Sequence, residues 1–250
     1  MIFYFSGTGN SKHIAEKCAK ASGERIVFMS ENTIAGQEIY EIGEKESIGF
    51  IFPVYWYCIP TIVEKFVKQL RLSGYRKQYV YAVATYGIAA GNTMDRLIKI
   101  LDHKQLKLNG IYGVQMVDNY VVGYNIAKEA RRREITRKAE TELDQIIAMI
   151  KAHTTTEYIK KGGIAFVTPV SSYAYRKTDH TKKFHTTNAC TGCGQCVKDC
   201  PCNVIRMKNN SPEWSGECTF CLKCLHSCRQ SAIQYGKFTK NRDRYLYTYE

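Results

Sequence analysis

The sequence predicts an α/β protein in which a doubly wound parallel sheet is followed by a smaller, cysteine-rich domain. The first observation behind this prediction is the alternation of short apolar runs with amphipathic helical segments over residues 1–150, a pattern typical of parallel strands joined by covering helices. The second is that nine of the eleven cysteines fall between Cys190 and Cys228. A chain of 250 residues has room for two such domains.

Four apolar runs in the first part of the chain are predicted to be strands of the sheet. These runs cover residues 2–5, 47–52, 79–84 and 113–117. Each is followed by a segment whose apolar residues recur at helical spacing. The predicted helices begin after residue 9 and at Pro60, run across residues 94–101, and extend from residue 125 to 152.

A hydroxyl-rich glycine loop follows the first predicted strand, at the start of the first predicted helix. Backbone N–H groups and the helix dipole attract anions at such a position, and hydroxyl groups add further donors. A Rossmann dinucleotide site would need a third glycine where Lys12 stands, and a P-loop would need Gly-Lys-Ser or Gly-Lys-Thr after four spacer residues. The loop therefore suits a terminal phosphate monoester, with an ordinary glycine-rich turn as the alternative. Its candidate ligands are Ser6, Thr8, Gly9, Asn10 and Ser11.

Two further loops leave the second and third predicted strands. Because the carboxyl ends of parallel strands meet at one edge of a sheet, these loops are expected beside the phosphate loop. Adjacent aromatic residues there suit the wall of a site for a flat ring, although a hydrophobic cover over the sheet edge is the alternative. The candidate residues are Pro53, Val54, Tyr55, Trp56 and Tyr57 in one loop, and Thr85, Tyr86, Gly87 and Gly91 in the other.

The glycine loop resembles the phosphate loop of flavodoxins, which reads Ser/Thr-x-Thr-Gly-x-Ser/Thr and is matched by Ser6, Thr8, Gly9 and Ser11. The resemblance spans about residues 1–150 and implies an FMN cofactor, with its phosphate in this loop and its isoalloxazine ring between the two later loops. One departure is the second loop, where flavodoxins commonly have glycine and residues 55–58 have none. A positive φ angle costs a non-glycine residue about 1 kcal/mol or more.

The cysteine region is an internal repeat, because the spacing C-x2-C-x2-C-x3-C occurs twice, 28 residues apart. In such a run three thiolates bind one iron–sulfur cube, and the fourth binds the other cube. The alternative is zinc, which usually takes separated pairs of ligands. The spacing predicts two [4Fe–4S] clusters, one held by Cys190, Cys193, Cys196 and Cys228 and the other by Cys218, Cys221, Cys224 and Cys200.

This region resembles bacterial two-cluster ferredoxins over about fifty residues. One departure is Arg229, which stands where the family usually has proline; the proline is kept after Cys200 only. Cys202 is expected to be a packed thiol and not a ligand. His226 is expected either to neighbour the cluster or to lie at the surface.

The two halves together resemble the flavodoxin–ferredoxin fusion proteins of anaerobic bacteria, which are also called EFR1-type ferredoxins. The resemblance implies a flavodoxin-like doubly wound parallel sheet with a C-terminal α+β two-cluster ferredoxin-like domain. The expected units are a flavodoxin-like FMN-binding domain, a connector, a 2[4Fe–4S] ferredoxin-like domain and a tail. They cover residues 1–155, 156–185, 186–236 and 237–250. In the tail, the alternation of Tyr245, Tyr247 and Tyr249 is compatible with a strand.

The resemblance implies an electron-transfer protein that moves electrons between two [4Fe–4S] clusters, FMN and a redox partner protein. The alternative is an FMN-dependent reductase of a small-molecule acceptor, fed by its own clusters. The sequence favours the carrier, because its histidines are scattered and form no evident acid–base constellation.

The formal charge of +13 raises a third possibility, a nucleic-acid-binding redox sensor. Each cluster with its four thiolates would carry −2 and an FMN phosphate about −2, so the loaded chain keeps about +7. Bound prosthetic groups would thus account for part of the basic excess. No DNA-reading motif occurs in the chain, and specific nucleic-acid binding is not predicted.

The sequence predicts neither a membrane span nor a signal peptide. No stretch approaches the roughly 18 uninterrupted apolar residues of a transmembrane helix. The N-terminus has no basic region before its apolar residues and turns into glycines at once. A cytoplasmic location is therefore expected, and an odd number of cysteines without an export signal argues against a disulfide scaffold.

Overall fold

The structure, a computed structural model, describes residues 1–162 and 165–247. Its strands are β1 (Ile2–Tyr4), β2 (Ile26–Phe28), β3 (Ile39–Glu41), β4 (Ile48–Pro53), β5 (Arg71–Ser73), β6 (Val80–Tyr86), β7 (Gly110–Gln115), β8 (Thr156–Tyr158), β9 (Phe184–Thr186), β10 (Ile205–Lys208), β11 (Ser211–Trp214) and β12 (Ile233–Tyr235). Its α-helices are α1 (Asn10–Ser22), α2 (Glu31–Ala35), α3 (Thr61–Gln69), α4 (Thr93–His103), α5 (Glu129–Lys151), α6 (Thr168–Lys177), α7 (Gln195–Asp199) and α8 (Lys223–His226). A 3₁₀ helix covers Ala165–Val167.

The central sheet contains six strands in the order β2-β1-β4-β6-β7-β8, and every neighbouring pair is parallel. Numbered within the sheet, the first five strands follow the order 2-1-3-4-5, which is the flavodoxin-like doubly wound arrangement. The order reverses between β1 and β4, so the crevice at the carboxyl ends of these strands is where such sheets bind ligands. The predicted fold class is confirmed for this part of the chain.

Helices cover both faces of the sheet because its strands are buried on both sides. On one face α1 and α5 bury Ile14, Leu143 and Ile146 in the same core. On the other face α3 and α4 bury Phe66 and Leu97 against a second core. All four predicted strands and all four predicted helices are present, although β1 ends at Tyr4 and α5 begins at Glu129.

The C-terminal region forms a small α+β unit whose apolar residues join the second core of the sheet domain. Two antiparallel strand pairs, β10–β11 and β12–β9, accompany the short helices α7 and α8. Leu225 and Ile233 are fully or almost fully buried in the core that also contains Phe5. The smaller C-terminal α+β domain of the predicted fold class is therefore present, and it packs directly on the sheet domain.

Residues 156–185, expected as a connector, contain β8 and α6. β8 extends the central sheet beside β7. On α6 the side chain of Tyr175 is 1% exposed, and its hydroxyl donates to the backbone oxygen of Thr219 at 2.8 Å. The segment is polar and basic, so its helix owes its position to tertiary contacts that residue periodicity does not reveal.

An ion-pair network anchors α6 to the sheet domain. The Glu64 carboxylate on α3 is 5% exposed and pairs with Lys68 at 2.7 Å, with Arg96 of α4 and with Arg176 of α6. Burial acts to raise the pKa of Glu64, but hydrogen bonds from the three cations outweigh it and hold the pKa at about 2. The network thus links three helices through one buried carboxylate.

We expect Glu64→Gln to lower the free energy of unfolding by about 3 kcal/mol near neutral pH, because the cations of Arg96 and Arg176 lose their buried partner. The carboxylate has an ordinary pKa of 4.5 and a folded-state pKa of about 2. Its contribution is therefore complete above pH 4.5 and is lost as the pH falls toward 2. Anaerobic thermal unfolding between pH 7 and pH 3 measures both effects. Glu129→Gln, at an exposed pair on α5, serves as the control. If the unfolding temperature of E64Q depended on pH as steeply as that of wild type, the lowered pKa of Glu64 would be contradicted.

The C-terminal tail forms no strand over residues 237–247. It follows β12 as a turn and then runs in irregular conformation toward the first loop of the sheet, with Tyr245 buried. Tyr249, part of the predicted alternation, lies outside the described residues. None of the described helices is both long enough and apolar enough to cross a bilayer.

Candidate functional site

The predicted phosphate loop lies between β1 and α1, at the reversal of strand order. Its hydroxyl and amide side chains are almost completely buried around a cavity of about 50 Å³. Gly9 has a φ angle of 106°, a left-handed conformation that glycine adopts without strain. The structure brings these predicted loop residues together with the predicted residues that follow β4 and β6. The cavity is lined by Ser6, Thr8, Asn10, Ser11, Pro53, Val54, Tyr55, Thr85, Tyr86 and Gly87, among others.

Hydrogen bonds fix the hydroxyl groups of the phosphate loop. The Thr8 hydroxyl oxygen accepts a hydrogen bond from Nδ2 of Asn119 at 2.8 Å, so its own proton is left to donate to an anion. The Ser11 and Thr85 hydroxyls lie 2.8 Å apart. The backbone N–H of Gly9 donates to the Ser6 hydroxyl at 3.1 Å. This donor-rich loop at the start of α1 fits the phosphate of an FMN.

A larger cleft of about 280 Å³ continues from the phosphate cavity, since the two share several lining residues. The shared residues are Val54, Tyr55, Tyr86, Gly87, Asp118 and Asn119. The rest of the cleft is lined by Trp56, Tyr57, Ile88, Ala89, Tyr120, Tyr124, Ser171, Phe220 and Leu222. Aromatic walls of this kind fit a flat isoalloxazine ring.

Two buried polar atoms in the cleft wall have no hydrogen-bond partner among the described residues. They are the hydroxyl oxygen of Tyr55 and Nε1 of Trp56. Burial raises the pKa of Tyr55 well above its ordinary value, so its hydroxyl keeps its proton and remains a donor. The Tyr55 hydroxyl lies between the phosphate loop and Cys221, because a Cβ atom at Gly7 would lie 2.8 Å from that hydroxyl and 2.7 Å from the backbone oxygen of Cys221.

The loop after β4 adopts left-handed backbone conformation without a glycine. Tyr55 and Cys58 exchange two backbone hydrogen bonds of 2.9 Å, and between them Trp56 and Tyr57 have φ angles of 51° and 59°. Positive φ at both central residues is the geometry of a type I′ turn. The backbone oxygen of Trp56 also accepts a hydrogen bond from the Ser171 hydroxyl at 2.8 Å. The two backbone hydrogen bonds of the turn and the hydrogen bond from Ser171 thus stabilise a left-handed conformation, which the absence of glycine made unexpected.

Two predicted cofactor residues, Gly9 and Gly91, do not line either cavity. Gly91 lies in the loop after β6. Its backbone N–H donates to the oxygen of Lys161 at 3.0 Å. A Cβ atom at this position would lie 2.7 Å from both Cβ of Tyr57 and the hydroxyl of Thr168. Gly91, with a φ angle of 58°, thus lets this loop pass close behind the aromatic wall and under α6.

The first predicted set of cluster ligands surrounds one cavity. Cys190, Cys193, Cys196 and Cys228 all line a space of about 250 Å³ that also borders Arg229. We call this the outer cysteine site, because Cys193 is exposed. Hydrogen bonding from the backbone N–H of Gln195 lowers the pKa of the Cys193 thiol, which favours the thiolate that binds iron.

The second predicted set, Cys218, Cys221, Cys224 and Cys200, lies deeper, and we call it the inner cysteine site. Burial raises the pKa of Cys221 to about 12 and raises those of Cys218 and Cys224 well above their ordinary value. The charge on Cys200 adds to all three shifts, which places Cys200 near the whole set. Metal binding at buried thiols must therefore displace their protons.

Cys202 also lies near the inner cysteine site. It is 8% exposed, and its pKa is raised first by burial and then by the charges of Cys221 and Cys218. The position agrees with a packed thiol but does not by itself distinguish a ligand from a neighbour. Within the described residues, no three His, Cys, Asp or Glu side chains converge closely enough to hold a single metal ion.

The ferredoxin-type domain closes the flavin-sized cleft. Phe220 and Leu222, the two neighbours of Cys221 in the chain, line that cleft directly. The phosphate loop also touches this segment, since a Cβ atom at Gly7 would lie 2.7 Å from the backbone oxygen of Cys221. The inner cysteine site and the cleft therefore share a wall.

The tail contacts the phosphate loop, and His226 contacts the tail. The backbone N–H of Tyr247 donates to the oxygen of Thr8 at 2.7 Å, and the Tyr245 hydroxyl donates to Oδ1 of Asn10 at 2.9 Å. His226 is 3% exposed and therefore not a surface residue. Its Nδ1 accepts from the backbone N–H of Tyr245, and its Nε2 bonds to the backbone oxygen of Asn119.

The sequence analysis did not identify three parts of the site: the loop after β7, the residues Phe220 and Leu222 beside Cys221, and the tail. Asp118, Asn119 and Tyr120 follow a strand that was predicted, so the rule that placed the other two loops at this sheet edge would have found them. No local signal marks Phe220, Leu222 or Tyr245, because their positions depend on how the two domains pack.

Comparisons with known proteins agree with the C-terminal assignment. Residues 189–233 match the family described as the 4Fe-4S dicluster domain. No similar protein was found among curated proteins.

Among solved structures, the chain is similar to the Trp repressor binding protein of Bacillus subtilis, with 14% identity over 60% of this chain and 96% of that one, at a TM-score of 0.38. It is similar to an azoreductase of Bacillus anthracis, with 10% identity over 58% and 97%, at 0.36. It is also similar to two-electron reduced Megasphaera elsdenii flavodoxin, with 20% identity over 46% and 85%, at 0.32. The strand order of the central sheet assigns the fold.

The C-terminal part of the chain is therefore a ferredoxin-type iron–sulfur domain, packed on a flavodoxin-like sheet domain. Iron–sulfur clusters held by cysteine thiolates exchange electrons over a wide range of potentials. A redox role follows for the protein.

Proposed function

We propose that this protein transfers electrons between two [4Fe–4S] clusters and a bound FMN, and exchanges them with a redox partner. Cys190, Cys193, Cys196 and Cys228 hold the outer cluster. Cys218, Cys221, Cys224 and Cys200 hold the inner cluster. Residues 1–155 form the FMN-binding domain, 156–185 the connecting segment, 186–236 the cluster domain and 237–250 the tail. This arrangement is that of the flavodoxin–ferredoxin fusion proteins, the EFR1-type ferredoxins.

One observation carries the proposal: Phe220 and Leu222, on either side of the inner-site ligand Cys221, line the flavin-sized cleft. A cluster and a flavin in these sites would be separated by little more than one layer of side chains. Clusters pass electrons one at a time, whereas a flavin takes up one or two, so each supplies what the other lacks. Contact between the two sites is what an internal transfer requires.

In the proposed site the phosphate loop holds the FMN phosphate through Ser6, Thr8, Gly9, Asn10 and Ser11. Tyr55, Trp56, Tyr57 and Tyr86 surround the ring, and Thr85 and Gly87 border the junction of the two cavities. The aromatic walls exclude water from both faces of the ring. The polar cavity would thus bind the phosphate, and the adjoining aromatic cleft would bind the ring.

The outer cluster is the proposed point of exchange with a partner protein. Cys193 is exposed at its cavity, whereas Cys221 and Cys224 of the inner site are each 8% exposed. In the proposed path, electrons pass from the partner to the outer cluster, then to the inner cluster and then to FMN. The same path operates in the reverse direction.

A reductase of a small-molecule acceptor is the second candidate, and the rim of the cleft is the observation that favours it. Ile88 and Tyr124 line the cleft and are 59% and 39% exposed. An acceptor that enters there would reach the ring edge without a protein partner. Multiple-turnover reduction of a quinone or azo dye by dithionite-fed protein, with no partner added, would favour the reductase over the carrier.

The proposal is tested by iron, acid-labile sulfide and flavin analysis of anaerobically purified, reconstituted protein. We expect about eight iron atoms and about eight sulfides per chain, the content of two [4Fe–4S] clusters. We also expect one FMN per chain. Rapid mixing with a one-electron donor should then bleach the cluster and flavin absorption together. Stoichiometric zinc without sulfide, or a colourless protein, would refute the proposal.

A further inference from the structure

We infer that the tail segment 244–247 is a positioning element of the proposed FMN site, which holds the phosphate loop in its phosphate-binding shape only while the ferredoxin-type domain is folded. The inference rests on the proposed function, because it concerns the site of the FMN phosphate. It assigns a role to tyrosines that no motif explains.

The first step of the argument is that the tail fixes the loop backbone. The bond from the Tyr247 N–H to the oxygen of Thr8 spans 2.7 Å. A Cβ atom at Gly9 would lie 2.9 Å from Cβ of Tyr247, so the tail packs into the space that the glycine leaves. The Tyr247 ring stacks on His13 of α1 with centroids 4.6 Å apart, and its hydroxyl donates to Glu140 of α5 at 3.1 Å.

The second step is that Tyr245 orients the first residue of α1. Its hydroxyl donates to Oδ1 of Asn10 at 2.9 Å, while Nδ2 of Asn10 donates to the backbone oxygen of Val117 at 2.9 Å. Both ends of the Asn10 amide are thereby satisfied and its rotamer is fixed. The N–H groups at the start of α1, which would meet the phosphate, are held in a single arrangement.

The third step is that the ferredoxin-type domain holds the tail. His226 of α8 lies between the ligands Cys224 and Cys228 and accepts the backbone N–H of Tyr245 at 3.2 Å. Its other ring nitrogen donates to the oxygen of Asn119 at 2.9 Å, and the side chain of Asn119 donates to Thr8 at 2.8 Å. Two chains of hydrogen bonds therefore run from α8 to the phosphate loop, one through Tyr245 and one through Asn119.

Phosphate-selective binding is the expected consequence. Riboflavin has the same ring as FMN but no phosphate, so its affinity does not depend on the loop. Loss of the Tyr245 hydroxyl leaves the buried oxygen of Asn10 without its donor, and we expect an effect of about ten-fold on FMN alone. Without the clusters, α8 no longer holds the tail and Asn119 in place. We therefore expect iron removal to lower FMN affinity more than Tyr245→Phe does.

The experiment is equilibrium dialysis of FMN and of riboflavin against anaerobic, cluster-loaded protein from which flavin has been removed. It compares wild type, Tyr245→Phe and the control Tyr173→Phe, whose side chain is 66% exposed on α6. Cluster absorption of each variant is recorded first. The same dialysis is repeated on wild-type protein after chelation of its iron.

We expect Y245F to bind FMN about ten-fold more weakly than wild type while riboflavin binding stays the same. Y173F should match wild type, and iron removal should weaken FMN more than riboflavin. Equal weakening of both flavins by Y245F would show a general loss of structure and overturn the inference, as would unchanged FMN binding. If wild-type protein binds neither flavin, the proposed function fails and the inference fails with it.

Discussion

Cys200→Ala is expected to abolish the inner cluster although Cys200 belongs to the first run of cysteines. The spacing assigns the fourth thiolate of each run to the other cube, and the charge on Cys200 influences all three buried thiols of the inner site. We therefore expect iron and sulfide to fall from about eight to about four per chain. The outer set keeps its four thiolates, so one cluster should remain.

The matched control is Cys202→Ala, two residues away in the same buried environment. Cys202 lies close enough to Cys218 and Cys221 for their charges to raise its pKa, so position alone does not exclude it as a ligand. We expect C202A to retain about eight iron atoms. Iron and sulfide analysis, with electron paramagnetic resonance of the reduced protein, measures both variants. The opposite pattern, with C200A intact and C202A depleted, would reassign the inner ligand set and contradict the crossed arrangement.

Gly87→Ala is expected to weaken FMN binding by about 10- to 100-fold while both clusters stay in place. A Cβ atom at Gly87 would lie 2.0 Å from Oδ2 and 2.5 Å from Cβ of Asp118. Asp118 is not free to turn away, since it accepts hydrogen bonds from the Tyr124 hydroxyl and, at 2.9 Å, from the backbone N–H of Tyr120. The loop after β7 must therefore shift, and with it the cleft wall. Overpacking of this kind costs about 1–3 kcal/mol.

Gly36→Ala is the control, because a Cβ atom there would make only ordinary contacts of 3.5 Å and the φ angle is −66°. Visible absorption of the purified variants separates flavin from cluster content, and dialysis gives the affinities. We expect G87A to lose flavin and keep its iron, and G36A to resemble wild type. Loss of iron and flavin together in G87A would indicate general unfolding, and tight FMN binding would place the ring elsewhere.

Elements with a clear local apolar pattern were predictable, and elements that depend on tertiary contacts were not. β4, β6, α3 and α4 follow from apolar runs or helical spacing that is strong enough to be read locally. β2 and β8 contain three residues each, and they become strands because β1 and β7 offer open edges to pair with. α6 was missed for a related reason: its polar sequence gains a helix through the burial of Tyr175 and the pairing of Arg176 with Glu64.

The site residues also fall into two groups: those that a local motif indicates and those that only tertiary contacts place. Motifs indicate both cysteine sets and most of the flavin-cleft residues. In the structure the outer cysteine set lines one cavity, and the predicted cleft residues line two adjoining cavities. Gly91 was placed at the cofactor by its neighbourhood in sequence and lies behind the wall instead. Asn119, Phe220 and Tyr245 were not identified, although each contacts the cleft or its phosphate loop.

The sequence by itself determined which chemistry the chain carries, because thiolates at a repeated interval and hydroxyls around a glycine turn act within a few residues of one another. Only the tertiary structure decided how the two chemistries meet. Phe220 contacts the ring of Tyr120, which lies 100 residues earlier in the chain, and Tyr245 contacts Asn10, which lies 235 residues earlier. Local patterns do not span such separations. The physical reason is that burial of apolar surface between the two domains sets these contacts, and such burial depends on shape and not on spacing.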